Sequence, residues 1–301
     1  MSENHKLYVI SDGETGEKIG VTDTVITGEQ LEEMNRKRKE GYTTYLARKE
    51  YYDKDRRKFV TNFMDSIEEL SSQLSLVDAG YLMKLLPYTQ EDGKLRDNGV
   101  NLNQMKIGKI VKRSERPVRS ALKRLEESGV LLSTNEKPKT YAINPKYHLV
   151  GKLGGRKKER FIKLFKSKAK ELLDRLTLSE AGCVYKILPY FHYETFILCG
   201  NPNEENPELY EELSQRDLVR KLNHNENELV KIISKLRSKG ILLKTESSYI
   251  TSHYVHPDLM YRKSYESNHT QEVRNMFERN EIRRQARAKK RAAGKKTEGS
   301  R

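Results

Sequence analysis

The chain has 301 residues and a mass of 35.1 kDa, with 34% charged and 35% hydrophobic residues and no tryptophan. No stretch approaches the roughly 20 apolar residues of a spanning helix, and residues 1–6 lack the apolar core of a secretory signal; two cysteines, Cys183 and Cys199, cannot build a disulfide scaffold. These features predict a cytoplasmic protein without a membrane partner, and a net charge of +15 favours a polyanion.

The excess charge is uneven. From residue 283 to the end there are nine Lys/Arg and one Glu, a net of +8, so the other 282 residues carry only +7. The body is mildly basic, and charge alone is a weak argument for nucleic acid.

Residues 1–55 form a first region. Leu7-Tyr8-Val9-Ile10, Gly13 and Gly16, then Lys18-Ile19-Gly20-Val21 predict a β-hairpin, and residues 29–39 predict a helix. Tyr42, Tyr45, Tyr51 and Tyr52 among Arg48, Lys49, Arg56 and Arg57 suit base stacking or the simple covering of an apolar surface.

Beyond residue 55 the chain contains an internal duplication. Residues 74–88 match residues 176–190 at a constant offset of 102, including Ala79-Gly80 with Ala181-Gly182 and Leu86-Pro87-Tyr88 with Leu188-Pro189-Tyr190. Further on the offset is 111: Leu102-Asn103-Gln104 matches Leu213-Ser214-Gln215, and Gly129-Val130-Leu131-Leu132 matches Gly240-Ile241-Leu242-Leu243. The difference of nine is an acidic insertion at 201–212. Each copy predicts a long amphipathic helix (59–72; 161–173), a helix stopped by Pro87 or Pro189, a short helix (102–112; 213–222), a polar turn, a fourth helix (116–128; 226–238), and a β-hairpin (130–132 with 141–143; 241–243 with 248–250). That order is a winged helix-turn-helix. The expected fold class is therefore mainly α with small β wings, two tandem winged helix-turn-helix domains at 56–150 and 161–263. A basic Gly-rich linker at 151–160 joins them, and a basic helix or tail occupies 264–301.

In the first copy Val118, Ala121, Leu122 and Leu125 share one helix face. Arg116, Ser120 and Lys123 project oppositely, flanked by Arg119 and, in the turn, Arg113. Arginine can pair bidentately with guanine, and lysine can contact phosphate. Lys137 and Lys139 stand at the wing tip. The competing reading is an ordinary solvated face. In the second copy Asn225, Asn227, Lys231 and Ser234 lie on the free face around Val230, with His224 in the turn, chemistry suited to A·T pairs. A dimerisation or spacer module is the alternative. Arg156, Lys157 and Lys158 in the linker could cross a backbone, and Arg283, Arg284 and Arg287 in the tail predict salt-sensitive, sequence-blind affinity, the tail being disordered or helical only when bound.

Ser11-Asp12-Gly13-Glu14-Thr15-Gly16-Glu17-Lys18, Lys58-Phe59-Val60-Thr61-Asn62-Phe63 and Tyr141-Ala142-Ile143-Asn144-Pro145 resemble RepL-type plasmid replication proteins of Gram-positive bacteria. Both copies are similar to MarR-type winged helices of plasmids and phages. The resemblance covers most of residues 7–260, departs from RepL in carrying a second copy, and implies sequence-specific duplex DNA binding in transcriptional control or in replication initiation.

No Walker loop, GxGxxG, GxSxG or HExxH motif occurs. His253 and His256 lack further ligands, so no metal, no cofactor and no catalysis are expected. The expected protein is a nucleoid-associated binder of double-stranded DNA using two non-identical readers, a transcriptional regulator or else an origin-binding initiator. A homodimer and the transcription or replication machinery are further candidate partners, and a protein-interaction module is the remaining alternative.

Overall fold

The computed structural model describes residues 8–22, 27–54, 57–135, 137–156, 158–246, 251–263 and 266–298, with backbone alone at 19, 44, 47–54, 288 and 290–298. They fall into two compact units, Met1–Lys54 and Asp55–Arg301. In the first, β1 (Tyr8–Ser11) pairs antiparallel with β2 (Lys18–Thr22). The turn between them is held by the Asp12 carboxylate, which accepts the Glu14 and Thr15 N–H groups at 2.9 and 2.8 Å; these bonds lower its pKa. A reciprocal Thr27–Gln30 cap starts α1 (Gly28–Lys54). The helix runs past the expected end because nothing from 40 to 54 is a proline.

The second unit opens with β3 (Phe59–Phe63), α2 (Met64–Gln73) and α3 (Leu76–Leu85). A one-turn helix carrying Pro87 leads to the small hairpin of β4 (Arg96–Asp97) and β5 (Val100–Asn101). Then come α4 (Gln104–Val111), α5 (Glu115–Glu127), β6 (Leu131–Ser133), β7 (Tyr141–Ile143) and β8 (His148–Leu149). The second half repeats this as β9 (Phe161–Phe165), α6 (Lys166–Asp174), α7 (Leu178–Lys186), the inserted loop, α8 (Gln215–Leu222) and α9 (Glu226–Ser238). It continues with β10 (Leu242–Glu246), β11 (Thr251–Val255) and β12 (Met260–Tyr261), before α10 (Asn268–Glu298). Residues 248–250, expected in the returning strand, lie outside the described residues.

The expectation of a mainly α chain of two tandem winged-helix domains is overturned. The protein is mixed α/β, about 51% helix and 20% strand in several small sheets. The segments at 59 and 161 begin as strands, not helices. Phe59, Phe63 and Phe161, Phe165 recur at i, i+4, a spacing that fits one helix face and one strand face alike. The tertiary partner decides. β3 pairs antiparallel with β9 from Phe59↔Phe165 to Phe63↔Phe161, inside a sheet ordered β12-β9-β3-β8. Each central strand brings its own half's last strand to the edge: Thr61↔Leu149 and Lys163↔Tyr261 are equivalent pairs. The repeat is thus related to itself by a local two-fold axis between β3 and β9, and both halves share one sheet.

Beneath the sheet α3 and α7 cross in contact. A Cβ on Gly80 would collide with the Leu178 carbonyl oxygen, and one on Gly182 with the Leu76 carbonyl oxygen; only glycine permits this approach. The result is one apolar core, running from Val60 through Leu82, Leu122 and Val184 to Leu236 and Phe277. A buried polar network pins the junction. Asn62 donates through Nδ2 to the carbonyls of Val60 (2.9 Å) and Ile162 (3.0 Å), leaving its Oδ1 to accept His148 Nδ1–H at 2.8 Å. His148 Nε2 then accepts the Tyr185 hydroxyl at 3.0 Å. Burial pushes the His148 pKa down to about 3, so it is neutral.

Candidate nucleic-acid interface

The interface is built from the inside out. Asn103 caps α4 by accepting the Lys106 N–H at 3.0 Å. The helix ends at Lys112, whose φ of +56° is left-handed, and Arg113 N–H returns to the Gly108 carbonyl at 3.0 Å. A Cβ at position 108 would lie 2.9 Å from the Arg113 carbonyl oxygen, so glycine lets the turn close. Asn223 (φ +45°) ends α8 at the equivalent place.

Across the turn α5 buries Val118, Ala121, Leu122 and Leu125. A cation outside the expected reading face locks it. Arg124 donates from Nε and Nη2 to Asp78 of α3, at 2.9 and 2.7 Å, and that carboxylate is nearly buried. The sequence signal for this lock is Ser75-x-x-Asp78, a helix-capping pattern that also places an acid at the start of α3.

The structure leaves Arg113, Arg116, Arg119, Ser120 and Lys123 exposed. Arg119 pairs with Glu115 at 3.9 Å and Lys123 with Glu127 at 3.6 Å, both pairs well solvated and so readily exchanged. Arg113 and Arg116 have no ion pair among the described residues. Ser120 donates its hydroxyl to the Arg116 carbonyl at 3.2 Å, which leaves it only acceptor capacity outward. In the hairpin after α5, Lys137 is exposed beside Arg96 and Lys106 in an open groove of about 690 Å³. Lys139 is drawn back to Glu126 at 2.9 Å. Glu136 lies outside the described residues.

The other expected contacts are scattered. Arg156 is engaged internally: its guanidinium donates to the Pro145 and Lys146 carbonyls at 2.6 and 3.0 Å, pairs with Glu159, and stacks 3.4 Å over Phe63. The segment expected as a flexible linker is held there because its arginine satisfies carbonyls left by the turn before β8. Lys157 lies outside the described residues, and Lys158 is exposed. In the second half Asn225 uses its side chain to cap α9, accepting the Glu228 N–H at 3.1 Å. Asn227, Lys231 and Ser234 are exposed, Val230 half-buried. Glu226 and Glu228 share the exposed start of α9, and His224 bonds to Glu228 at 3.0 Å. Like-charged carboxylates there oppose phosphate approach. α10 stays helical through the basic stretch to Glu298, rich in strong helix formers; Arg284 pairs with Glu281, while Arg283 and Arg287 are exposed.

The remaining candidates lie outside α5. Tyr42 and Tyr45 are exposed and stack on each other with centroids 6.4 Å apart; Arg57 pairs with Glu266 at 2.7 Å. Nothing is described of the side chains of Arg48, Lys49, Tyr51 and Tyr52, or of residue 56. Cys183 is buried with its thiol pushed up to about 12 by desolvation, and Cys199 is buried with its pKa raised for the same reason. His253 faces the Leu213 carbonyl, and His256 accepts the Asp258 N–H at 3.1 Å. Among the described residues no group of three metal-ligating side chains gathers, and no helix is long and apolar enough to cross a membrane.

No protein-family model, curated protein or solved structure matches this chain.

Proposed function

We propose that the protein binds duplex DNA and reads sequence through the free face of α5. The single observation that carries this reading is a row of exposed cations, Arg116, Arg119 and Lys123 on one short helix with Arg113 in the turn before it, the helix being clamped from beneath by four apolar side chains and the Arg124–Asp78 pair. A clamped helix presents side chains in fixed register, which base-edge recognition requires. Lys137 and Lys158 add phosphate contacts, and the second half contributes a weaker, less basic contact through Asn227 and Lys231. The proposed role is control of transcription. The resemblance of residues 11–18, 58–63 and 141–145 to RepL-type proteins makes an origin of replication the alternative location.

Binding to fragments selected from random duplex DNA tests this at physiological salt. Arg116→Ala or Arg119→Ala should cost about 1–3 kcal/mol of specific affinity and relax preference at one base pair. A loss uniform over all sequences would reduce these residues to phosphate contacts, and absence of any sequence preference in the intact chain would sink the proposal. Mapping the selected fragments to promoters or to an origin decides the role.

A further inference from the structure

The two-fold relation between the halves reaches from the shared sheet to the candidate reading helix and its counterpart. In the sheet Thr61 faces Lys163, its own equivalent at an offset of 102, and the pair Phe59↔Phe165 becomes Phe161↔Phe63 when the halves are exchanged. Beneath it Gly80 lies against the Leu178 carbonyl and Gly182 against the Leu76 carbonyl, one contact repeated under the same exchange. A single axis therefore passes between β3 and β9 and through the α3–α7 crossing. It carries α5 onto α9, each of 13 residues, and Arg116, Ser120 and Lys123 onto Asn227, Lys231 and Ser234.

α5 stands beside this axis and not at the far end of its half. Lys112, immediately before Arg113, pairs with Asp174 of the second half at 2.8 Å. Arg113, Pro117, Ser120 and Arg124 line a cleft whose opposite wall is Thr177, Leu178 and Ser179 of the second half. Ser120 belongs both to that stripe and to the exposed row of residues 116, 120 and 123, so the exposed row borders the junction. Rotation by 180° leaves a direction along the axis unchanged and reverses every direction across it. Whatever α5 presents along the axis, α9 presents on the same side of the molecule, and across the axis the two helices run in opposed senses.

Duplex DNA has two-fold axes of its own, and a protein with two-fold symmetry reads an inverted repeat. We infer that one copy of this chain occupies an imperfect inverted repeat, with one arm under α5 and the other under α9. This rests on the proposed reading of duplex DNA and specifies its target. The arms are unlike because the outward side chains are unlike: arginines on α5 suit guanine, and Asn227 on α9 suits adenine. Two copies joined head to tail, without the axis, would call for a direct repeat instead.

Selection of the intact chain on random duplex DNA, followed by native mass spectrometry on the selected duplex, is the test. The expected result is two unlike arms in inverted orientation and one chain per duplex. Turning one arm around, with its sequence and the spacing kept, should weaken binding about fivefold through loss of the weaker contact from α9. Arg116→Ala should relax base preference in one arm only, and Asn227→Ala in the other only; both residues are exposed, so neither variant disturbs the core. Arms in direct orientation, a single arm, or two chains on each duplex would overturn the inference and leave the DNA reading standing. No selected sequence at all would remove the DNA reading and this inference with it.

Discussion

The two halves have the same backbone plan and differently charged surfaces. Over residues 113–124 the first carries five cations and one carboxylate; over the equivalent residues 224–235 the second carries two of each. Their interiors correspond position by position: Val118, Ala121, Leu122 and Leu125 against Leu229, Ile232, Ile233 and Leu236. Even the lock beneath each helix recurs with altered parts. Asp78 holds Arg124, whereas Glu180 holds Lys239, at 2.6 Å, from just beyond the end of α9. The positions that meet the shared sheet and the α3–α7 crossing are constrained by packing in both copies. Outward positions are free of that constraint, so there the copies have diverged in charge.

The largest effect should come from breaking what the halves share. Gly80→Ala places a methyl against the Leu178 carbonyl, and Gly182→Ala places one against the Leu76 carbonyl. Each should destabilise by about 3 kcal/mol or more, and because the crossing belongs to both halves, thermal unfolding followed by circular dichroism should remain one transition at lower temperature. Loss of one half alone, with the other melting as before, would show that the copies are independent bodies.

Acid comes next. The His148 pKa is near 3 in the fold against about 6.5 in an unfolded chain. Below pH 6.5 the unfolded state therefore takes up a proton the native state refuses, and stability falls as pH drops from about 6.5 towards 3, by up to about 1.4 kcal/mol per pH unit. Desolvation also lowers His192, His253 and, to about 4, His256, all in the second half. Hydrogen exchange at pH 5 should accelerate first around residues 192–256. His148→Gln should flatten the pH dependence of melting, and an unchanged profile would remove His148 as its cause.

The smallest effect sharpens the contrast in surface. Asn227→Ala and Lys231→Ala on α9 should each cost under about 1 kcal/mol of DNA affinity, against the larger losses from Arg116 or Arg119. Equal losses from both helices, measured by fluorescence anisotropy on one selected duplex, would restore two equivalent readers.

Much of the molecule is legible in local pattern. The duplication, the helices around Leu76, Gln104 and Glu115, the stops near Pro87 and Pro189, and the hairpin through Tyr141 arise from periodicity, caps and breakers that act within a few residues. The strands at Phe59–Phe63 and Phe161–Phe165 are not legible in the same way, because their phenylalanines satisfy both periods and only the opposite copy selects one. Arg124 and Arg156 have the local signature of surface cations; what distinguishes them is the distance to Asp78, 46 positions away, and to the turn at Pro145.

By itself, then, the sequence determined two copies of one element order, the apolar stripe of each helix and the strong basic bias of one stretch over its counterpart. These are properties of spacing and side-chain type. That the copies join through a common sheet, that Gly80 and Gly182 face each other's neighbouring carbonyls, and which cations remain outward were decided only in three dimensions. Strand pairing and close helix contact are interactions between residues about a hundred positions apart, and no local spacing encodes them.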